Sequence, residues 1–444
     1  MRGRRPPAPQ HHRPLNLLSR VPAGARTPLK WAAGVLLAVV NVASVIHQLV
    51  LVEHGRMTLD RYRIDLDVYR IGASVWRDGH ELYATMRPTR VGLSLPFTYP
   101  PIAAAFLAPL TLVPFAVATV GLTLLSIVVL VGVLAVFLRA LGLPRRRLGW
   151  ALAVVMPVAL FIEPVQANLS FGQVNILLML LVTLDCLLAR TRWPRGLLVG
   201  VAAATKLTPA VFVLFFLVRR DLRSARNALL SFVATTALGF VLAWDSSVKY
   251  WTGTVFDSSR IGGVGYVGNQ SVQSVLARAG LHGATATGLW ILLSIGVVAL
   301  AVRAMTHAFA AGQPAPALAL NAFAVLLVSP ISWTHHWVWI CPLLLCLAAL
   351  AWRSRSVGAA AIAAGGLVLF CVGPQWWLPQ GGDRELAWSL GQQVVGSCYA
   401  WFALGVLVYA AFSRRLWTDR RQGDGGSSGP VPSVRWRTAS RAST

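Results

Sequence analysis

The feature that most constrains this chain is a succession of apolar runs. They fall near residues 30–52, 115–140, 148–163, 174–189, 196–218, 227–244, 286–304, 316–333, 337–352, 357–374 and 393–412. Most approach the roughly 20 residues that a helix needs to cross a bilayer. Within hydrocarbon the backbone must satisfy its own hydrogen bonds, and with runs of this length helices do so. The expected fold class is therefore all-α, a polytopic transmembrane helical bundle of about ten full spans plus one re-entrant hairpin. Composition excludes a soluble domain: 56% of the 444 residues are hydrophobic and only 12% charged, against about a quarter charged in soluble domains. The first run is too long for a cleaved signal peptide and lacks a small-residue cleavage site, so it reads as a retained span. Cys186, Cys341, Cys346, Cys371 and Cys398 all lie in apolar runs without ligand spacing. They read as small core residues, and no metal or cofactor is expected.

The net charge of +25 would suit nucleic acid, but its distribution argues for the bilayer. Arginines gather in the tails and in short connections: Arg145–Arg147, then Arg190, Arg192 and Arg195, then Arg219, Arg220, Arg223 and Arg226, then Arg353 and Arg355. Such connections stay cytoplasmic, so the chain reads as a multi-pass plasma-membrane protein with both termini inside. Residues 1–29 read as a disordered basic arm, 30–412 as the membrane domain with a first outer loop at 53–114, and 413–444 as a disordered tail. The run 196–218 has arginines at both ends and a polar break, Thr205-Lys206-Leu207-Thr208-Pro209. Two short helices with Lys206 near their apex keep both ends cytoplasmic, and such backbone at depth implies a polar cavity. The stretch 100–113 is too short for a full span and reads as interfacial.

This orientation gathers the polar motifs on one outer face. Asp65 and Asp67 open the first loop; the same spacing occurs in solvated surface pairs, but a partly desolvated carboxylate can serve as a base. Arg56, Arg61, Arg63, Arg70, Arg77, Arg87 and Arg90 share that loop against the positive-inside trend, which leaves a role in meeting anionic headgroups open. Gln173 and Asn175 begin a span, where amides hydrogen-bond either neighbouring helices or a sugar. Lys206 is one of three lysines, and a cation at membrane depth needs an anionic partner or water. Asn269 and Gln270 fit a plain turn or a site. His335 and His336 fit an aromatic belt, or one of them a phosphate contact; adjacent helical side chains diverge too far to share one metal.

In order, DLDVY (65–69), LPFTYPP (95–101), FGQVN (171–175), TKLTP (205–209), GNQS (268–271) and SPISWTHHW (329–337) resemble glycosyltransferase family 87 over roughly residues 30–412. The resemblance implies a GT-C-like fold and a metal-independent, inverting mannosyltransferase. Its donor would be polyprenyl-phosphate-mannose and its acceptor a glycolipid or lipoglycan, joined in α-1,2 linkage at the outer membrane face. It implies Asp65 as catalytic base and Asp67, at a variable position, as a substrate-binding helper or a spectator. Substrate binding would fall to Tyr69, Tyr99, Gln173, Asn175, Lys206, Asn269, Gln270, His335 and His336, amid membrane lipids and without nucleic acid. A lipid or polysaccharide transporter or flippase is the alternative, since broken helices with intramembrane charge also occur there.

Overall fold

In the computed structural model, residues 23–53, 56–58 and 61–419 are described. The parts of the expected arm and tail at 1–22 and 420–444 lie outside them. Helix α1 (Ala23–Leu49) leads into a three-residue antiparallel hairpin, β1 (Leu51–Glu53) and β2 (Arg56–Thr58), with Leu51 opposite Thr58. There follow α2 (Ile64–Arg77), α3 (Pro101–Leu107), α4 (Phe115–Ala140), α5 (Arg145–Phe161), α6 (Glu163–Phe171) and α7 (Asn175–Leu187). Next come α8 (Leu197–Thr205), α9 (Val213–Val218), α10 (Leu222–Leu242), α11 (Trp244–Thr252), α12 (Val272–Arg278) and α13 (Gly283–Ala310). The last are α14 (Pro314–Val328), α15 (Ile340–Ser354), α16 (Val357–Val372), α17 (Leu390–Gly396) and α18 (Cys398–Phe412).

Among the described residues six helices are long and apolar enough to cross a membrane, and eight if each of two bent pairs counts as one span. The bends, 71° between α5 and α6 and 70° between α17 and α18, fall at breaks in the helix. That is fewer than the expected number of about ten, because several apolar runs build shorter helices. α7 has 13 residues and α14 has 15. α14 is also wrapped by protein, with every residue from Ala315 to Leu327 buried. The 100–113 stretch forms α3 and a 3-10 turn, Ala108–Leu112, short of a crossing as its length predicted.

The run 196–218 divides at Lys206, with α8 before it and a 3-10 turn (Thr208–Phe212) leading into α9 after it. Its two ends come together. Arg195 and Arg219 are near enough to feel each other's charge. The Asp185 carboxylate at the end of α7 accepts from Gly196 N at 2.9 Å and Val199 N at 3.0 Å. Lys206 therefore stands a helix-length away, about 14 Å at 1.5 Å per residue. α8 lies directly on α10: a Cβ on Gly200 would meet Ala228 O at 2.4 Å, and one on Gly196 would meet Ser224 O at 2.1 Å. A small-xxx-small pair is what lets two backbones approach so closely.

Candidate functional site

The site forms where the first turn of α2 meets the α6–α7 junction and the Lys206 break. Arg63, 2% exposed, donates to Gln48 O at 2.8 Å and pins the start of α2 to the end of α1. Gly172 ends α6 at φ +74°, and a Cβ there would meet Leu66 Cβ at 2.9 Å and Arg63 Cβ at 3.0 Å. Glycine thus supplies both the left-handed turn and the room for α2. Phe97 lies against the bare face of Gly72, which carries the next motif onto the same helix.

These packings set Gln173 beside Asp65. Its Nε2 donates to Asp65 Oδ2 at 2.7 Å, while its Oε1 accepts from Tyr69 at 2.7 Å and Tyr99 at 3.1 Å. Two phenols demand an acceptor, which fixes the amide orientation and leaves the NH2 for the carboxylate. Asp65 is half-buried. Burial pushes its carboxyl up to about 6, against the opposing pull of the Gln173 hydrogen bond and the Lys206 charge. Such a group is ionised at neutral pH yet retains basicity.

Opposite stands the cation. Lys206 Nζ donates to Asn175 Oδ1 at 2.8 Å, lies 3.1 Å from His336 Nε2 and sits over the Tyr99 ring at 5.3 Å. When Lys206 is an ammonium it can only donate, so Nε2 of His336 then accepts and the ring proton belongs on Nδ1. Asn175 Nδ2 in turn donates to Asn168 Oδ1 and to His335 O, both at 3.1 Å. His335 is buried edge-on to Phe171 and to His336, with ring centroids 5.4 and 4.7 Å apart. Its Nε2 has no hydrogen-bond partner among the described residues. An apolar cavity opens behind His336, walled by Leu178, Met179, Phe212 and Trp339.

The arrangement brings together Asp65, Tyr69, Tyr99, Gln173, Asn175, Lys206, His335 and His336. Asp67 belongs to the other side of α2, where its Oδ2 accepts from Tyr62 Oη at 3.0 Å and Arg90 N at 2.8 Å. Asn269 and Gln270, both 0% exposed, lie apart as well. Asn269 accepts from Ser332 N and donates to Val264 O and Pro330 O. Gln270 donates to Val267 O and Gly396 O and accepts from Tyr399 N. With donors and acceptors committed to backbone, Asn269 locks the 264–271 loop onto the 329–333 loop and Gln270 ties it to the α17–α18 junction, and the sugar contact read from sequence finds no free group there. Sequence reasoning missed Asn168, whose only signal is its place seven residues before Asn175. It also missed Glu163, the one acid in the 148–172 stretch, which accepts from Tyr399 Oη at 2.8 Å and Trp376 Nε1 at 3.0 Å.

Chemically, the cluster offers a carboxylate facing a cation backed by a neutral imidazole, a pairing of base and anion stabiliser. The family model for Glycosyltransferase family 87 matches residues 97–330. That range contains Tyr99, Gln173, Asn175 and Lys206 and excludes Asp65, His335 and His336. A polyprenol-phosphate-mannose-dependent alpha-(1-2)-phosphatidylinositol mannoside mannosyltransferase of Mycobacterium tuberculosis is 41% identical over 336 residues, 73% of this chain and 78% of that protein. The protein of the same description from Mycolicibacterium smegmatis is 42% identical over 350 residues, 74% of this chain and 79% of its own. A pentamannoside mannosyltransferase of the same donor dependence, from Mycobacterium tuberculosis, is 33% identical over 72% of this chain and 74% of its own. No solved structure matches.

Proposed function

The chain belongs to glycosyltransferase family 87, and from that premise we propose that it moves a mannosyl residue from polyprenyl-phosphate-mannose to a phosphatidylinositol mannoside or related lipoglycan, in α-(1→2) linkage. The observation that carries the reading is the Asp65 carboxylate held by Gln173, with Lys206 and His336 across from it. In the reaction the acceptor hydroxyl gives its proton to an Asp65 oxygen as its own oxygen bonds to the anomeric carbon. The bond from that carbon to the phosphate oxygen breaks, and the electron pair leaves with polyprenyl phosphate. A phosphate leaving group needs no protonation, so one base suffices, unlike the two carboxyls of a glycosidase. The Lys206 ammonium, oriented by His336 and Asn175, stabilises the departing charge. A single displacement inverts the anomeric centre, so a β-linked donor gives an α-linked product.

The same proposal sets the site on the outer membrane face, with both termini and the arginine connections cytoplasmic. The relatives' described activity is transfer, and no observation favours the transporter or flippase alternative. The test is a membrane assay with radiolabelled polyprenyl-phosphate-mannose and phosphatidylinositol mannosides, followed by α-(1→2)-mannosidase digestion. Labelled glycolipid that releases its mannose on digestion is expected. Absence of transfer by the wild-type protein, or a product resistant to the mannosidase, overturns the reading.

A further inference from the structure

Helix α2 has two chemically distinct faces. At about 100° per residue, Asp65 and Tyr69 share the side that meets Gln173. Asp67, Arg70, Ile71 and Ser74, at i, i+3, i+4 and i+7, form the opposite stripe. That stripe joins Arg87, Arg90 and Thr111 around a cavity of about 330 Å³. Three guanidinium groups meet one carboxylate there, a surplus of two positive charges. Asp67 is already engaged by Tyr62 and the Arg90 backbone. Arg70 donates to Val113 O at 2.8 Å and Arg90 lies over the Phe115 ring at 4.3 Å, so the backbone and an aromatic face hold two of the cations in place. Arg87 is exposed and makes no hydrogen bond among the described residues. The three are close enough to interact: burial first, then the charges of Arg90 and Arg87, hold the Arg70 guanidinium below its ordinary range.

Like charges held around a void stabilise an anion placed between them. The rim says which kind. Leu112 and Val113 beside the cavity are 71% and 37% exposed, an apolar lip suited to acyl chains and unsuited to a freely soluble anion. We propose that this cavity binds the phosphodiester of the acceptor lipid, leaving its glycan to pass over the first turn of α2 to Asp65. The assignment to the acceptor rests on the function proposed above. It follows from position: cavity and base lie on opposite sides of one helix, about 10 Å across, close enough for one headgroup to reach both.

The test compares Arg87→Gln and the Arg87→Gln/Arg90→Gln pair with wild type in neutral-lipid nanodiscs, using a phosphatidylinositol mannoside and an alkyl mannoside that lacks phosphate. The wild-type preference in kcat/KM for the phosphate-bearing acceptor should fall about tenfold in the single variant, about 1.4 kcal/mol, and further in the pair. An unchanged ratio overturns the proposal, as does a fall in both acceptors alike. If the preference depends instead on added phosphatidylglycerol, with the alkyl mannoside responding equally, the cavity reads bulk lipid and the acceptor assignment fails. Binding of fluorescent phosphatidylinositol is measured alongside. Should wild type transfer to neither acceptor, the proposed function falls, and equal lipid binding by wild type and the pair then overturns the cavity independently.

Discussion

Asp65 and Asp67 stand two residues apart, and their neighbours give them different work. Read as an extended segment, the pair would diverge because alternate side chains point to opposite sides. It lies instead in the first turn of a helix, where two residues span about 200°, and the separation survives for a different reason. Asp65→Asn keeps the shape but cannot take a proton at neutral pH, so turnover should fall by about 10²–10⁴ with donor binding retained. Asp67→Asn keeps an acceptor for Tyr62 and Arg90 and should be much milder. Transfer rates at matched expression decide; a dead Asp67→Asn beside a near-normal Asp65→Asn would move the base to Asp67. Because burial pushes the Asp65 carboxyl up to about 6, the active, ionised form is lost as pH falls through that value. The kcat/KM profile should rise about tenfold per unit below about pH 6. Gln173 stabilises the ionised form, so Gln173→Leu should move the rising limb to higher pH; a limb that stays put excludes Asp65 as its source. Lys206→Ala should weaken donor affinity by about tenfold or more, the scale of one charge-assisted contact. Wild-type donor affinity in that variant would remove Lys206 from the phosphate site.

At the scale of elements, the hairpin is the part of the site most legible in the sequence. Arginines at both ends and Lys206 ahead of Thr208-Pro209 are enough to place a break, and the break is where the residues put it. The 264–271 loop was not legible in the same way. An amide facing a sugar and an amide facing a backbone carbonyl look alike in one dimension, and only the fold shows that Asn269 and Gln270 are fully committed to main chain. Gly72 and Gly172 gave no signal either, since their importance depends on which element arrives against them. The close seat of α8 on α10 carries its own prediction. Gly200→Val would drive a methyl into Ala228 O and Ser231 Cβ, an overpacking worth about 1–3 kcal/mol. It should lower the thermal midpoint and, by shifting Lys206, raise the donor KM. An unchanged midpoint and KM would show that α8 does not position the cation.

For the whole molecule, the all-helical class was legible because hydrocarbon length leaves a mark in sequence, whereas the span count was not. An apolar run that folds as one long helix and one that stops short read alike; α14 shows this, since its composition is that of a span and its length is 15 residues. The orientation proposed from the arginines can be checked with single cysteines. Replacements at Arg192 and Arg223, on either side of the hairpin, should label from the cytoplasmic face, and one at Arg384 from the outside. Labelling of the first two from opposite faces would break the hairpin and invert everything after it. The apolar lip of Leu112 and Val113 has a further bearing on kinetics. An enzyme whose acceptor arrives along such an edge encounters it in two dimensions, and its saturation is governed by the acceptor's mole fraction in the leaflet. Adding inert lipid at constant bulk substrate would therefore slow it, as surface dilution does for any catalyst confined to a film.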